Sequence, residues 1–186
     1  MKKLIINLYS KYITFYLKLN QINVGRGLIS YGKPIIKNNG KIEIGNNVTL
    51  HSHNKSYHAQ MYGPVKLKTS KGGRIIIRDN SRLNGCCLSS NKFIKIGNNC
   101  LIAANTQIID SNGHQSNPLK RQEQDLARNI IIEDNVWIGL NCIILKGICI
   151  GENSIIGAGS VITKNVPKNC IVAGNPAKIV KMNKNE

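Results

Sequence analysis

Acid is scarce in this sequence. Its 186 residues carry 9 Asp and Glu against 26 Lys and Arg, a formal charge of +17. So one-sided a charge makes a cationic partner a poor fit and points to nucleotide phosphate, acidic sugar polymer, lipid head group or nucleic acid. Aromatic side chains are scarce as well, at 5% with a single Trp. No aromatic platform of the kind that stacks bases is visible, so nucleic acid is the weakest of those partners. Six cysteines are present, but no CxxC pair is, and Cys86 and Cys87 are adjacent. Without ligand spacing no metal site is expected, and the thiols read as reduced ones in a cytoplasmic protein. No run is long and apolar enough for a spanning helix, and residues 1–20 lack a cleavable-signal layout. The length predicts one domain.

What the chain has in abundance is isoleucine at a fixed interval. From Ile132 to Val166 it reads in sixes: IEDNVW, IGLNCI, ILKGIC, IGENSI, IGAGSV, ITKNVP. Ile132, Ile138, Ile144, Ile150, Ile156 and Ile162 open the blocks, and Val136, Cys142, Ile148, Ser154, Ser160 and Val166 hold the fifth positions. An amphipathic helix repeats its apolar face at three and four, and a hairpin strand alternates every two. A period of six predicts a parallel β-helix, one short strand and one corner per block and three blocks per coil. Residues 18 apart then stack, Ile132 under Ile150, Ile138 under Ile156 and Ile144 under Ile162. Gly139, Asn141, Gly151, Asn153, Gly157 and Gly159 fall at corners, where positive φ or close backbone approach is needed.

NVWIG at 135–139, IGAGSVITKNVP at 156–167 and VAGNPAKIVK at 172–181 resemble the left-handed β-helix acyltransferases. The nearest likeness is to the maltose, galactoside and polysaccharide O-acetyltransferase branch, and it spans about Ile44 to Lys181. The fold class expected is therefore all-β, a left-handed parallel β-helix of hexapeptide repeats with a short N-terminal helix and a projecting loop. The left hand is implied by the resemblance alone, since the period does not set it.

Three segments depart from the repeat. Residues 1–20 hold Leu4, Leu8, Tyr12 and Phe15 at helical spacing with Lys2, Lys3, Lys11 and Lys18 elsewhere, a basic amphipathic helix. Two readings stand: a cap on the open first coil or a subunit contact, and a helix lying on an anionic membrane. In the domain spanning 21–181, HSHNKSYHAQMYGP breaks the register after Leu50, and His51, His53 and His58 fall in the break as surface or acceptor-lining residues. Ile77 to Ile96 is 19, one more than a coil, so one corner is expected to hold an extra residue. The polar stretch 110–130 interrupts the repeat, yet Ile108 to Ile132 is 24, so the face is kept. After Val166 the repeat stops, and the basic end of the chain, with 182–186 as its tail, is expected to cross back over the last coil.

The resemblance puts a catalytic histidine at His114, in Asn112-Gly113-His114, and imidazole suits the removal of a hydroxyl proton near neutral pH. No other histidine is expected in register with the coil. Asp110 is expected either to orient that ring or to leave the task to a backbone carbonyl. Asn84 matches an acceptor-binding asparagine of the family. Trp137, at a sixth position, points outward as a donor- or substrate-packing surface. Acetyl-CoA is implied along Trp137, Gly139, Leu140, Ala158 and Gly159, with the Leu140 N–H a candidate oxyanion donor. Thr163, Lys164, Lys178 and Lys181 match positions at its nucleotide end. The family works as a homotrimer, so His114 of one chain is expected to face the Trp137–Lys164 groove of its neighbour.

The expected activity is acetyl-CoA-dependent O-acetylation of a sugar, with a cell-surface polysaccharide or its precursor favoured by the charge and by the lack of the maltose branch's N-terminal domain. N-acetylation of a nucleotide-linked amino sugar stays open. A non-enzymatic anion-binding solenoid is weaker, and a zinc hydratase would need three histidines in register.

Overall fold

The computed structural model describes residues 2–182. Residue 1, residues 183–186 of the expected tail and the side chains of Lys2, Lys3 and Ser56 lie outside the described residues. One α-helix, α1 (Lys2–Leu19), precedes the strands. The rest is a three-faced parallel coil. The first face stacks Ile22–Val24, Lys41–Ile44, Arg74–Ile77, Phe93–Ile96, Ile130–Ile132 and Cys149–Ile150. The second stacks Ile29–Tyr31, Thr49–His51, Arg82–Asn84, Leu101–Ile102, Trp137–Ile138, Ile155–Ile156 and Cys170–Gly174. The third stacks Ile35–Asn38, Lys66–Thr69, Cys87–Ser90, Gln107–Ile109, Ile143–Ile144 and Val161–Ile162. Along the chain the faces follow one another in that order, coil after coil.

The stacking follows the isoleucines. Ile132 pairs with Ile150, Ile138 with Ile156 and Ile144 with Ile162. All six are buried, and so are the fifth-position side chains Val136, Cys142, Ile148, Ser154, Ser160 and Val166. Each block thus sends two side chains inward, two residues apart as a strand requires. Full burial of each isoleucine stabilises the coil by about 1.5–3 kcal/mol. Burial also pushes the inward thiols up, Cys86 to about 12 and Cys100 to about 11, out of the reactive range.

The corners use two devices. Between the first and second faces, Asn47, Asn80, Asn99, Asn135, Asn153 and Asn169 sit at φ of +55° to +60°, which asparagine tolerates. Gly139 serves the second need, since a Cβ there would lie 2.7 Å from the Ala158 nitrogen of the next coil. Carboxylates staple successive coils: Asp79 accepts from the Asn46 N–H (2.8 Å) and amide (3.1 Å), and Asp134 from the Asn98 N–H and amide (both 2.9 Å). The Asn46 N–H holds the Asp79 carboxyl below the usual carboxylate range, and the Asn98 amide does the same for Asp134. A folded value below the unfolded one gives stability that is present above the unfolded value and lost as pH falls through the folded one. The melting temperature is therefore expected to be steady from neutrality to about pH 5 and to drop below about pH 4. Circular dichroism melts across that range check it, and an unchanged midpoint at the acid end would remove the staples from the account.

The one-residue surplus between Ile77 and Ile96 is not a single insertion, as expected from the count. Leu83 to Leu88 spans five residues where the paired Ile102 to Ile108 spans six. Leu88 to Ile96 then spans eight where Ile144 to Ile150, in the same column, spans six. One corner is thus one residue short, at Gly85 with φ +43°, and the next is two long. The two true insertions leave from different edges: 52–64 between the second and third faces, and 110–129 between the third and first.

Both ends are covered. Ile13 and Leu17 of α1, fully buried, close the first coil, and the Ser10 hydroxyl accepts from the Ser30 N–H at 3.0 Å. At the far end Ala177–Met182 turns back antiparallel to Cys170–Gly174, the return expected of the basic segment.

Candidate active site

The 110–129 loop is tied down at its base. Arg128 N–H donates to the Asp110 carbonyl (2.9 Å), and the Asp125 carboxylate pairs with Lys146 of the next coil. That hydrogen bond holds the Asp125 carboxyl below the usual range. A 3-10 turn at Pro118–Lys120 is capped by the Asn117 side chain, which accepts from the Leu119 N–H at 3.0 Å. Before it, exposed His114 has its Nδ1 2.9 Å from the Arg121 carbonyl. A carbonyl only accepts, so Nδ1 is the donor, and in the neutral ring the lone pair then lies on Nε2.

Asp110 does not orient that ring. It is fully buried, and its carboxylate accepts from Ser90 Oγ (2.8 Å) and from the N–H groups of Asn91 (2.8 Å), Lys92 (2.8 Å) and Phe93 (2.9 Å). These are the residues of the lengthened corner. Its work is structural, and of the two expected ways to orient the His114 ring the structure has the backbone carbonyl, that of Arg121.

Asn84 ends its strand on the second face, buried, with its amide donating to the Ile102 carbonyl at 2.8 Å and its Oδ1 without a partner. Beside it in register stands His51, so the expectation that only His114 among the histidines is register-matched is corrected. The His51 ring stacks on Tyr31 (centroids 4.2 Å apart), and its Nδ1 likewise lacks a well-aligned partner. Burial pushes the imidazole down, the charges of Arg82 and His53 add to this, and the Asn84 amide pulls weakly the other way. Leu50 announces this column as the opening residue of a block, and His51 directly follows it.

Half-exposed Trp137 borders a cleft of about 300 Å³ on the second face, with Gly139, Leu140 and Ala158 below it and Tyr57 and His58 above. The last two belong to the 52–64 insertion: His58 is among the residues expected there as surface or acceptor-lining, and Tyr57 was not expected. The N–H groups of Gly139 and Asn141 are spent on Ile156 (2.8 Å) and Ala104 (3.0 Å) carbonyls. Among the described residues no acceptor meets the Leu140 N–H between them. Gly159, at φ +73°, donates to the Leu140 carbonyl at 2.7 Å.

Thr163, Lys164 and Lys178 line a separate cleft of about 430 Å³ at the end of the coil, and Lys181 lies exposed on the return strand. The expected Trp137–Lys164 groove is therefore not continuous on one chain: Trp137 is on the second face, and Lys164 follows the third. His114 rises from the edge between the third and first faces, which in a triangular coil lies opposite the second. One chain thus does not bring His114 to Trp137, nor to Asn84 at the second-to-third corner.

A model of the hexapeptide repeat of succinyl-transferase matches residues 129–164. Galactoside O-acetyltransferase of Escherichia coli K12 is 38% identical over 88 residues, covering 47% of this chain and 43% of that protein. The chain spans about half the length, or less, of the curated relatives it matches. Among solved structures, the N-acyltransferase AntD of Bacillus cereus, in complex with dTDP and 3-hydroxybutyryl-CoA, superposes with a TM-score of 0.73 at 22% identity, over 92% of this chain and 88% of that one. A maltose O-acetyltransferase from Clostridium difficile 630 gives 0.58 at 23% identity, over 97% and 89%. The fold is the left-handed parallel β-helix, its coil expected from the hexapeptides and its hand from the resemblance, and the chain is similar in fold and repeat to the hexapeptide-repeat acetyltransferases, the galactoside and maltose O-acetyltransferases among them.

Proposed function

We propose that the protein is an acetyl-CoA-dependent O-acetyltransferase acting on a sugar hydroxyl of a cell-surface polysaccharide or its precursor, with residues 21–181 as its catalytic domain. The observation that carries this reading is the His114 ring, held at Nδ1 by the Arg121 carbonyl, with the neutral ring's lone pair on Nε2. Nε2 takes the acceptor hydroxyl proton as the oxygen bonds to the thioester carbonyl carbon. The oxyanion that forms meets the Leu140 N–H, which has no other acceptor among the described residues. The C–S bond then breaks, and the departing thiolate takes the proton from the imidazolium. The products are an acetyl ester and the CoA thiol.

Trp137, Gly139, Leu140, Ala158 and Gly159 take the pantetheine end, and Thr163, Lys164, Lys178 and Lys181 the phosphates, with Asn84, its buried Oδ1 unpartnered, on the acceptor side. Because one chain holds His114 and Trp137 on opposite sides, the working unit is a homotrimer with the site between chains.

A second reading is acetyl transfer to an amine of a nucleotide-linked amino sugar. It is supported by the likeness to AntD, solved with dTDP-4-amino-4,6-dideoxyglucose and coenzyme A. Incubation with acetyl-CoA, acidic polysaccharides and nucleotide-linked amino sugars, followed by mass spectrometry before and after mild alkali, separates the two. The expected product gains an acetyl group that alkali removes. An alkali-stable acetyl group on the amino sugar would replace the first reading with the second, and no gain on either would defeat both.

A further inference from the structure

The helix α1 is apolar on two sides. Ile13 and Leu17 go into the coil, while Leu4, Leu8, Tyr12, Phe15 and Leu19, spaced for one stripe on the opposite side, are 53% to 67% exposed. The cap needs only the first set, so the stripe singled out at helical spacing is not the capping face. Exposed Lys11 and Lys18 border it. A groove of about 510 Å³ along one flank is lined by Leu4, Leu8, Lys11 and Arg26, so apolar and cationic groups share one recess. On the other flank Ile5 and Tyr9 line a second recess with Tyr31.

We propose that this face docks the protein on an anionic phospholipid surface, with acyl chains against Leu4, Leu8, Phe15 and Leu19 and lipid phosphate against Lys11 and Arg26. The charge decides between occupants. No acidic residue precedes Glu43, while eight basic ones do. Glu43 itself is paired with Arg74 at 2.8 Å and Lys41 at 3.3 Å. A second copy's matching face would bring lysine to lysine, whereas an anionic lipid surface answers both the charge and the apolar stripe. Tyr9 and Tyr12 suit the head-group level, having an apolar body and a polar tip. Among the described residues no helix is long and apolar enough to cross a membrane, so the helix lies in the interface plane.

The test is flotation of the full-length protein with vesicles of phosphatidylcholine alone and of phosphatidylcholine mixed with phosphatidylglycerol, at low and high salt. The native chain is expected to float with the mixed vesicles only, and less at high salt. Leu8→Ser/Phe15→Ser and, separately, Lys11→Glu/Lys18→Glu are expected to weaken binding by about tenfold or more, with unchanged circular dichroism because these side chains are exposed. Failure of the native chain to float, equal flotation with both vesicles, or an apolar-stripe variant that still floats but loses assembly mass by light scattering would overturn the proposal; the last would give the stripe to another copy. Acetyl transfer to a water-soluble acceptor, read in parallel on the same variants, keeps this result separate from that of the proposed activity.

Discussion

His114→Ala is expected to lower acetyl transfer by about 10²–10⁴-fold while the affinity for acetyl-CoA stays within about twofold. The ring lies in an exposed loop, so its removal opens no cavity, and the loop keeps its Asp125–Lys146 tie. The loss is therefore in turnover and not in folding or donor binding. A variant that keeps its turnover would take the role of base from His114. The same variant tests the shared site. Ala158→Phe is expected to block the Trp137 cleft, since Ala158 lines it. Each variant alone is expected to be inactive. Refolded together, the two are expected to form the mixed trimers of the proposed shared site, in which an intact His114 faces an intact cleft, and to regain part of the activity. If each site were built from one chain, every chain in the mixture would carry a defect and nothing would return.

Asp110→Ala is expected to cost about 3 kcal/mol or more in unfolding free energy, because the change leaves three backbone N–H groups buried without an acceptor and the Ser90 hydroxyl with the Arg74 carbonyl alone. Urea unfolding measures it. The specific activity of the folded fraction is expected to fall far less than for His114→Ala. A stable Asp110→Ala protein with lost turnover would return the carboxylate to the active site. Asp110→Asn keeps the shape and one acceptor oxygen, so it is expected to fall between the native chain and Asp110→Ala.

These two residues mark how far the sequence could be read. The coil was legible because a single physical demand, an inward side chain every sixth residue, recurs without interruption from Ile132 to Ile162. The place of Trp137 on the outside followed from the same count. Asp110 was misplaced because it stands four residues from His114, while its partners at 91–93 are its neighbours only through the stacking of coils. The 19-residue interval misled in a similar way, since a total cannot show that one corner lost a residue and another gained two. His51 was missed because the break after Leu50 hid the fact that it closes a strand before the insertion begins. Tyr57 and His58 reach the Trp137 cleft from a segment with no period, and nothing in an aperiodic stretch tells where it folds back.

The two closed ends of the coil have a consequence for solution behaviour. A stack of parallel strands has no natural stopping point, since each terminal layer offers the same open row of amides and carbonyls that recruited the layer before it. Here α1 roofs one terminus, and Ala177–Met182 lies against Cys170–Gly174 in the reverse direction at the other. A strand running backwards cannot template another layer of the same winding. The molecule therefore carries its own chain terminators against growth into fibres, and association is left to its sides.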